Sequence, residues 1–273
     1  MVELRYRFPA LVTASAGLHA AAALAVALAP RHWLPVVATV FADHLLLTGL
    51  SFWPQSPWLG ANQTRLPPGA AGAIALTFDD GPDPEVTPKV LDLLDRRGAR
   101  ATFFAVGRRV REHAELAAEA VRRGHRVENH SASHPVLFSC FPPPLLRREV
   151  EGAQEAIERA TGRRPSLFRA PAGFRNPLLD RVLWQAGLAL VSWTRRGFDT
   201  VERNPARVAS RLLGRLAAGD ILVLHDGRAA RDRNGRPVVL EALPRVLDVL
   251  AEKGLVSVPL PALTGDEVGG GEP

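Results

Sequence analysis

Short apolar runs, many of them β-branched, alternate along the chain with longer segments in which apolar residues recur every three or four positions. The runs lie at 73–78, 101–106, 126–130, 167–171, 188–193, 220–225 and 255–260. Runs of this length are typical of buried strands, and each gap between them is long enough for a helix. Seven strands alternating with helices predict a parallel β/α architecture, either a barrel or an open doubly wound sheet.

Two of the gaps show helical spacing most clearly. Apolar residues share one helical face at Val86, Val90, Leu93 and Leu94, and again at Leu146, Val150, Ala153, Ile157 and Ala160. Gly98 is placed where the first of these helices should end.

The first fifty residues differ in composition from the rest. Residues 10–29 carry no formal charge, and a helix of about 20 apolar residues can cross a bilayer. Residues 33–53 could complete a hairpin, although Asp43 near their middle makes insertion costly. A small-residue pattern at 27–29 resembles a signal-peptide cleavage site, but Pro30 opposes cleavage. We therefore expect a retained, membrane-associated segment of one or two helices over residues 1–53; the alternative is a buried helical pair in a soluble protein.

The number of crossings decides the side of the membrane. Arg5 and Arg7 precede the first stretch and Arg31 follows it, which favours a cytoplasmic N-terminus. One crossing would export the rest of the chain, and two would return it. We expect anchoring in the inner (cytoplasmic) membrane with the main domain in the periplasm or outside the cell, or at the cytoplasmic face if both stretches span.

Composition also predicts the remaining boundaries. Proline, glycine and polar residues dominate 54–72, which is typical of a linker. The main domain should then occupy 73–263, and the acidic, glycine-rich residues 264–273 should form a flexible tail.

The chain carries a net charge of +6 and a single cysteine, Cys140. One cysteine excludes an internal disulfide and a multi-cysteine zinc site. We interpret the short arginine clusters, such as Arg195 and Arg196, as solvated surface. No basic cluster is interleaved with aromatic residues, so we expect no nucleic-acid partner.

Ionisable side chains gather where the predicted strands end. Asp79 and Asp80 follow the first strand, and His130 and His134 follow the third. One carboxylate and two imidazoles can hold a zinc-like cation with a position open for water, and the second carboxylate can deprotonate that water. These residues indicate a metal-dependent hydrolase.

Three further groups share this rim. Arg169 ends the fourth predicted strand, Asp199 lies in the loop after the fifth, and His225 ends the sixth. In β/α folds the carboxyl ends of the strands are where active sites assemble.

Five ordered stretches resemble the motifs of the polysaccharide deacetylase family, the NodB homology domain of carbohydrate esterase family four. They are 77–81, His130 with His134, 169–173, Trp193 with Asp199, and 222–225. The resemblance covers about 73–263. It implies a distorted (β/α) barrel of about seven parallel strands that uses Zn²⁺ or another divalent ion to remove acyl groups from N-acetylated sugars.

The resemblance also implies roles for individual residues. Asp80, His130 and His134 would hold the metal, Asp79 would be the general base, and Arg169 would pair with Asp79. The leaving amine would be protonated by His225, which Asp199 would orient. The residues implied for substrate contact are Ala172 through its backbone N–H, Trp193 beside the sugar, and Leu222 and Leu224 around the acetyl methyl.

Two positions depart from the family pattern. Ala172 stands where a tyrosine is usual, and Thr200 follows Asp199 where a tryptophan is common. Both changes remove aromatic surface on which a sugar ring stacks.

The expected substrate is an amino sugar in a polysaccharide, in peptidoglycan or on a lipid carrier. The alternatives are an O-acetyl esterase acting on glycans and a catalytically silent carbohydrate-binding protein. No oligomeric state follows from the sequence.

Overall fold

The computed structural model describes residues 6–70 and 72–261, so the predicted tail at 264–273 lies outside the described residues. The helices are α1 (Ala10–Leu28), α2 (Trp33–Ser51), α3 (Thr87–Arg96), α4 (Gly107–Glu112), α5 (Ala114–Arg122), α6 (Pro143–Thr161), α7 (Leu179–Ala186), α8 (Pro205–Leu213) and α9 (Val238–Glu252). The strands are β1 (Ala73–Asp79), β2 (Ala101–Ala105), β3 (Arg126–Asn129), β4 (Leu167–Phe168), β5 (Ala189–Leu190), β6 (Arg195–Arg196), β7 (Ile221–His225) and β8 (Val256–Ser257).

The strands form one parallel sheet in the order β5-β4-β3-β2-β1-β7-β6, and β8 pairs with the start of β1. The sheet curls around an interior that holds its own apolar cluster, and a second, larger cluster lies between the sheet and the helices. Both faces of the sheet are therefore covered, as a parallel sheet requires. The predicted fold class, a distorted barrel of about seven parallel strands preceded by apolar helices, is confirmed.

Side chains along β1 show how the sequence produces this arrangement. Leu76 and Phe78 belong to the cluster under the helices, whereas Ala75 belongs to the interior cluster. Successive side chains of a strand point to opposite faces, so a continuous run of buried residues fills both. The helices follow the predicted pattern as well: α6 buries Leu146 and Val150.

Two details of the strand prediction are wrong. Arg195–Arg196, which we took as surface, is a short strand paired with Leu222 and Val223 of β7. Only Val256–Ser257 of the predicted last strand is regular. Both strands have only two residues, two arginines in β6 and a valine and a serine in β8, so no apolar run marks their limits.

The segment predicted as a linker makes specific contacts with the barrel. Gln63 pairs with Val191 directly after β5, and Arg65 pairs with Asp220 directly before β7. Leu59 is fully buried, and its carbonyl accepts a hydrogen bond from Arg175 at 2.8 Å. The segment thus packs between the end of β5 and the start of β7. The division of the chain into domain, linker and tail stays a prediction.

The helices α1 and α2 pack against each other as a hairpin with apolar side chains facing outward. Within the described residues, they are the two helices long and apolar enough to cross a membrane, and only 6% of each candidate span is buried. Asp43 accepts a hydrogen bond from Ser15 at 2.7 Å, and the Nε2 atoms of His19 and His44 lie 3.1 Å apart. The polar side chains in the middle of the hairpin are therefore paired with one another.

Both outer ends of the hairpin contact the barrel domain. Before α1, the Tyr6 hydroxyl donates to Asp180 of α7 at 2.8 Å. After α2, the Ser51 carbonyl accepts a hydrogen bond from the Arg175 N–H at 2.9 Å, and Phe52 packs edge-on against Phe174. The turn between the helices is thus the end of the hairpin farthest from the domain.

Candidate active site

A cleft of about 320 Å³ opens at the carboxyl ends of the strands. Asp79 is the last residue of β1 and lies opposite His225, the last residue of β7. The predicted site residues that line the cleft are Asp79, Asp80, His130, His134, Ala172, Trp193 and His225. The parallel sheet therefore brings together the groups that the sequence placed at separate strand ends.

Asp80, His130 and His134 converge on one point. Asp80 Oδ1 lies 3.4 Å from His130 Nε2 and 3.2 Å from His134 Nε2, and a set of ligand atoms from the three residues lies within 4.8 Å of one another. Asp80 Oδ1 is buried and has no hydrogen-bond partner among the described residues. A buried carboxylate oxygen without a partner is costly, and a cation shared with the two imidazoles would satisfy it. The donor set therefore fits a divalent metal ion.

The surroundings of His130 prepare its ring for a metal. His130 Nδ1 lies 2.8 Å from the carbonyl oxygen of Arg169. A carbonyl only accepts, so Nδ1 carries the hydrogen and Nε2 keeps its lone pair toward Asp80. Burial lowers the pKa of His134; the nearby His130 and Arg228 act in the same direction, against the attraction of Asp80. A neutral ring at His134 also leaves a nitrogen lone pair available for a cation.

Asp80 is held in its ionised form. Burial acts to raise its pKa, but the neighbouring imidazoles of His130, His134 and His225 outweigh burial and hold the pKa below its usual range. An ionised carboxylate is the form that binds a metal.

Asp79 is fixed by a buried arginine. Arg169 Nη1 donates to Asp79 Oδ1 and to Thr77 Oγ1, at 2.7 Å in each case. The guanidinium carbon lies 4.0 Å from the centre of the Phe104 ring, and Arg169 is fully buried. A charge removed from water needs close partners, so this pair fixes the position of the Asp79 carboxylate.

His225 and Asp199 form a second buried pair. His225 Nδ1 lies 2.8 Å from Asp199 Oδ1, and the His225 backbone N–H donates to Asp199 Oδ2 at 2.7 Å. Burial alone would lower the pKa of His225, but the charge of Asp199, the hydrogen bond to it and the charges of Asp79 and Asp80 raise that pKa to about 9. The ring is therefore cationic at neutral pH, with Nε2 free to give up a proton.

The loops after β1 and β7 pack directly on each other. A Cβ at Gly227 would lie 2.2 Å from the carbonyl oxygen of Asp80, so only glycine fits there. The Gly227 N–H donates to the Asp79 carbonyl at 3.3 Å. Asp226 accepts a hydrogen bond from Thr87, which starts α3, at 2.6 Å. These contacts fix the distance between the loop that carries Asp80 and the end of β7 at His225.

The walls of the cleft differ in part from the prediction. Ala172 and Trp193 line it, but Leu222 and Leu224 lie under the helices, on the opposite face of β7. Val223 lines the cleft instead. Side chains alternate along a strand, and Val223 shares the face of His225 because it lies two residues before it. This two-residue alternation can be recognised in the sequence. It moves the predicted acetyl pocket from Leu222 and Leu224 to Val223.

Two arginines of the cleft were not predicted from the sequence as site residues. Arg196 and Arg228 line it together with Thr200 and Val201. Arg196 belongs to a pair that we interpreted as solvated surface, and its neighbour Arg195 instead pairs with Asp220 at 2.6 Å. Arg196 faces the cleft and Arg195 does not because β6 pairs with β7. The sequence pattern does not reveal this pairing.

Comparison with known proteins identifies the family. The sequence model described as "Polysaccharide deacetylase" matches residues 67–191. The chitooligosaccharide deacetylase of Bradyrhizobium sp. is 36% identical over 198 residues, which cover 70% of this chain and 90% of that protein. The chain belongs to the polysaccharide deacetylase family.

Other members of the polysaccharide deacetylase family agree with this result. The peptidoglycan-N-acetylglucosamine deacetylase of Bacillus cereus is 33% identical over 183 residues, covering 66% of this chain and 83% of that protein. A family 4 carbohydrate esterase from Streptomyces lividans, solved with acetate, superimposes with a TM-score of 0.62 at 33% identity, over 68% of this chain and 92% of that one. The predicted family and enzyme class, a polysaccharide deacetylase-like hydrolase, are confirmed.

The geometry predicts which side chains hold the metal. His130→Ala should lose stoichiometric Zn²⁺ or another divalent ion, because it removes one of three ligands, whereas Asp79→Asn should retain it. Metal content after dialysis, measured by mass spectrometry, tests both variants, and His113→Ala, outside the cleft, is the matched control. Loss of metal from Asp79→Asn would mean that the roles of Asp79 and Asp80 are exchanged.

Proposed function

We propose that this protein is a metal-dependent deacetylase that removes the N-acetyl group from an amino sugar of a glycan. The observation that supports this most strongly is the unpartnered, buried Asp80 Oδ1 facing two imidazole nitrogens, with Asp79 next to it in the cleft. The family relatives that act on chitooligosaccharides and peptidoglycan support the same bond and substrate type.

In the proposed reaction, Asp80, His130 and His134 would hold a divalent cation, whose Lewis-acid chemistry would make a water more acidic and an acyl carbonyl more electrophilic. Asp79 takes a proton from the water that attacks the acetyl carbon. Arg169 keeps the Asp79 carboxylate in place.

The reaction is completed by His225. The C–N bond of the amide breaks while a C–O bond forms, and His225 Nε2 gives its proton to the departing nitrogen. Asp199 holds the ring in the orientation that points Nε2 at the cleft and stabilises its positive charge. The products are acetate and the free amino sugar.

We assign the walls of the cleft to the substrate. The acetyl methyl would lie against Val223 and Trp193, which replace the predicted pocket of Leu222 and Leu224. The backbone N–H of Ala172, in a turn with φ of 55°, would donate to the carbonyl oxygen as charge develops on it.

Acetate release from an N-acetylglucosamine oligomer tests the proposed function. The metal-loaded protein should release acetate, and Asp79→Asn should lower kcat by roughly 10²–10⁴-fold because the general base is lost. Glu155→Gln, an exposed carboxylate-to-amide change on α6, is the control. Hydrolysis confined to O-acetyl esters would favour the esterase alternative, and binding of metal and glycan without any hydrolysis would favour the silent one.

The raised pKa of His225 predicts the alkaline limit of activity. His225 must be protonated to act as an acid, so kcat should fall as pH rises through about 9. Asp199→Asn removes the charge that raises this pKa and leaves the burial that lowers it, so the alkaline limb should move to lower pH. A pH profile of kcat measures this shift. An unmoved alkaline limb in a folded Asp199→Asn protein would contradict the assignment of His225.

We further propose that α1 and α2 cross the membrane twice and keep the N-terminus and the catalytic domain on one side. Contacts of Tyr6 and Ser51 with the domain, at the two outer ends of the hairpin, support this arrangement. The pairing of Ser15 with Asp43 offsets the cost of a carboxylate within a span. Arg5 and Arg7 before α1, against Arg31 in the turn, support a cytoplasmic location for the shared side, whereas a single crossing would export the domain.

Cys140 is exposed and is the only cysteine, so it reports the side of the domain. A membrane-impermeant maleimide should label it only after cells are permeabilised. Cys140→Ser combined with Arg31→Cys should be labelled in intact cells, because the turn would face outward. Labelling of Cys140 in intact cells would show that the domain is exported.

A further inference from the structure

The wall of the cleft is hydrogen-bonded to the residues that directly follow α2. Trp193 lines the cleft, and its carbonyl accepts a hydrogen bond from Gln55 at 2.5 Å. The Ser192 hydroxyl donates to the Pro54 carbonyl at 2.6 Å. Gly173, another lining residue, lies so close that a Cβ on it would be 3.0 Å from the Pro54 ring. Because α2 ends at Ser51, an apolar chain lying along α2 would leave its head group beside the cleft.

Exposed aromatic side chains surround this end of the hairpin. Phe52, Trp53 and Trp58 are 54%, 48% and 59% exposed. Tryptophan is enriched where protein passes from hydrocarbon to water, because its ring is apolar and its N–H is polar. These residues indicate that the membrane surface lies at the level of the cleft wall.

Arg196 offers a cationic group inside the cleft. Its guanidinium carbon lies 5.3 Å from the Trp193 ring and 5.2 Å from the Phe198 ring. Its Nε is buried and has no hydrogen-bond partner within the described chain, and no carboxylate there forms a salt bridge with it. Stacking between two rings fixes the guanidinium plane and leaves its edge free for an anion.

Arg228 offers a second cationic group, next to the metal ligands. Its Nη1 lies 3.4 Å from His134 Nδ1. When Nε2 of a neutral His134 binds a cation, Nδ1 carries the hydrogen and cannot accept from an arginine. Arg228 is exposed and forms no salt bridge among the described residues, so its guanidinium is available to an anion in the cleft.

The structure of an acetamido sugar would bring a phosphate close to the arginines of the cleft when the acetyl group lies at the proposed metal ligands. The acetamido group is on carbon 2 of the ring, and the anomeric oxygen is on the adjacent carbon 1. With the acetyl group at the metal ligands, a phosphate on the anomeric oxygen would lie within a few atoms of that position, near the arginines of the cleft. Arginine binds phosphate with charge-assisted, often bidentate hydrogen bonds. Such contacts would also replace the affinity lost with the missing aromatic surface at Ala172 and Thr200.

We infer that the substrate is an N-acetylated amino sugar joined through a phosphate to a membrane lipid, with Arg196 and Arg228 binding the phosphate. This inference rests on the proposed deacetylase function and narrows its substrate class. The amide is the bond that is hydrolysed, and the phosphate link to the lipid stays intact.

The test uses the full-length, metal-loaded protein in lipid vesicles and measures acetate release from four substrates. They are N-acetylglucosamine phosphate linked to a polyprenol, N-acetylglucosamine linked to the same polyprenol without phosphate, soluble N-acetylglucosamine 1-phosphate, and tetra-N-acetylchitotetraose. We expect kcat/KM for the first to exceed each of the others by at least about tenfold.

The arginines are tested by substitution. Arg196→Gln and Arg228→Gln should each reduce the preference for the phosphate-linked lipid over the phosphate-free lipid, by about tenfold. Arg207→Gln, an exposed arginine on α8 outside the cleft, should keep the full preference.

Each contrary result has a separate meaning. Equal rates on the two lipids, or an unchanged preference in both cleft variants, would overturn the phosphate site. Equal rates on the lipid-linked and soluble phosphates would overturn the role of the lipid. Faster turnover of chitotetraose would overturn the inference and leave the proposed function standing. No acetate from any of the four, with metal bound, would overturn the proposed function itself.

Discussion

A guanidinium group with no exposure to water occupies the interior of the curled sheet. Arg169, which follows β4, donates to Thr77 and Asp79 of β1 and to the Ser192 carbonyl beyond β5, and it lies against Phe104 of β2. Burying a charge is tolerated only when such partners surround it. The same contacts that make this arginine tolerable join the strands and fix Asp79, so the stability of the interior and the position of the proposed base depend on one group.

Neighbouring carboxylates acquire different properties from this interior. Asp79 points inward and is neutralised by Arg169, whereas Asp80 adopts a φ of 72° and turns toward the two imidazoles. The Asp79 carboxylate is thus paired with the guanidinium of Arg169, whereas the Asp80 carboxylate remains available to a metal ion. Two adjacent acids in different environments can act as base and ligand, because surroundings and not residue type set the role.

The sequence was sufficient to predict most of the ionisable groups that meet at the cleft, since strand ends of a parallel sheet meet at one rim and the proposed ligand set lies in two short motifs. It was insufficient where the answer depended on pairing across the sheet. Val223 faces the cleft because it lies two residues before His225 on the same strand. We instead assigned the acetyl pocket to Leu222 and Leu224, because we considered only that they are apolar. The roles of Arg195 and Arg196 follow from a two-residue strand that has no apolar signature. The contacts of Gln63 and Arg65 with the barrel lie in a stretch whose composition is typical of linkers.

Pro54 and Gln55, which follow α2, are hydrogen-bonded to the wall of the cleft, so anchoring α2 in a bilayer would hold the cleft at the membrane surface. If enzyme and substrate share one bilayer, they meet by lateral diffusion in two dimensions. Saturation would then depend on the mole fraction of substrate among the lipids, and diluting the membrane with inert lipid would slow the reaction even at constant bulk concentration.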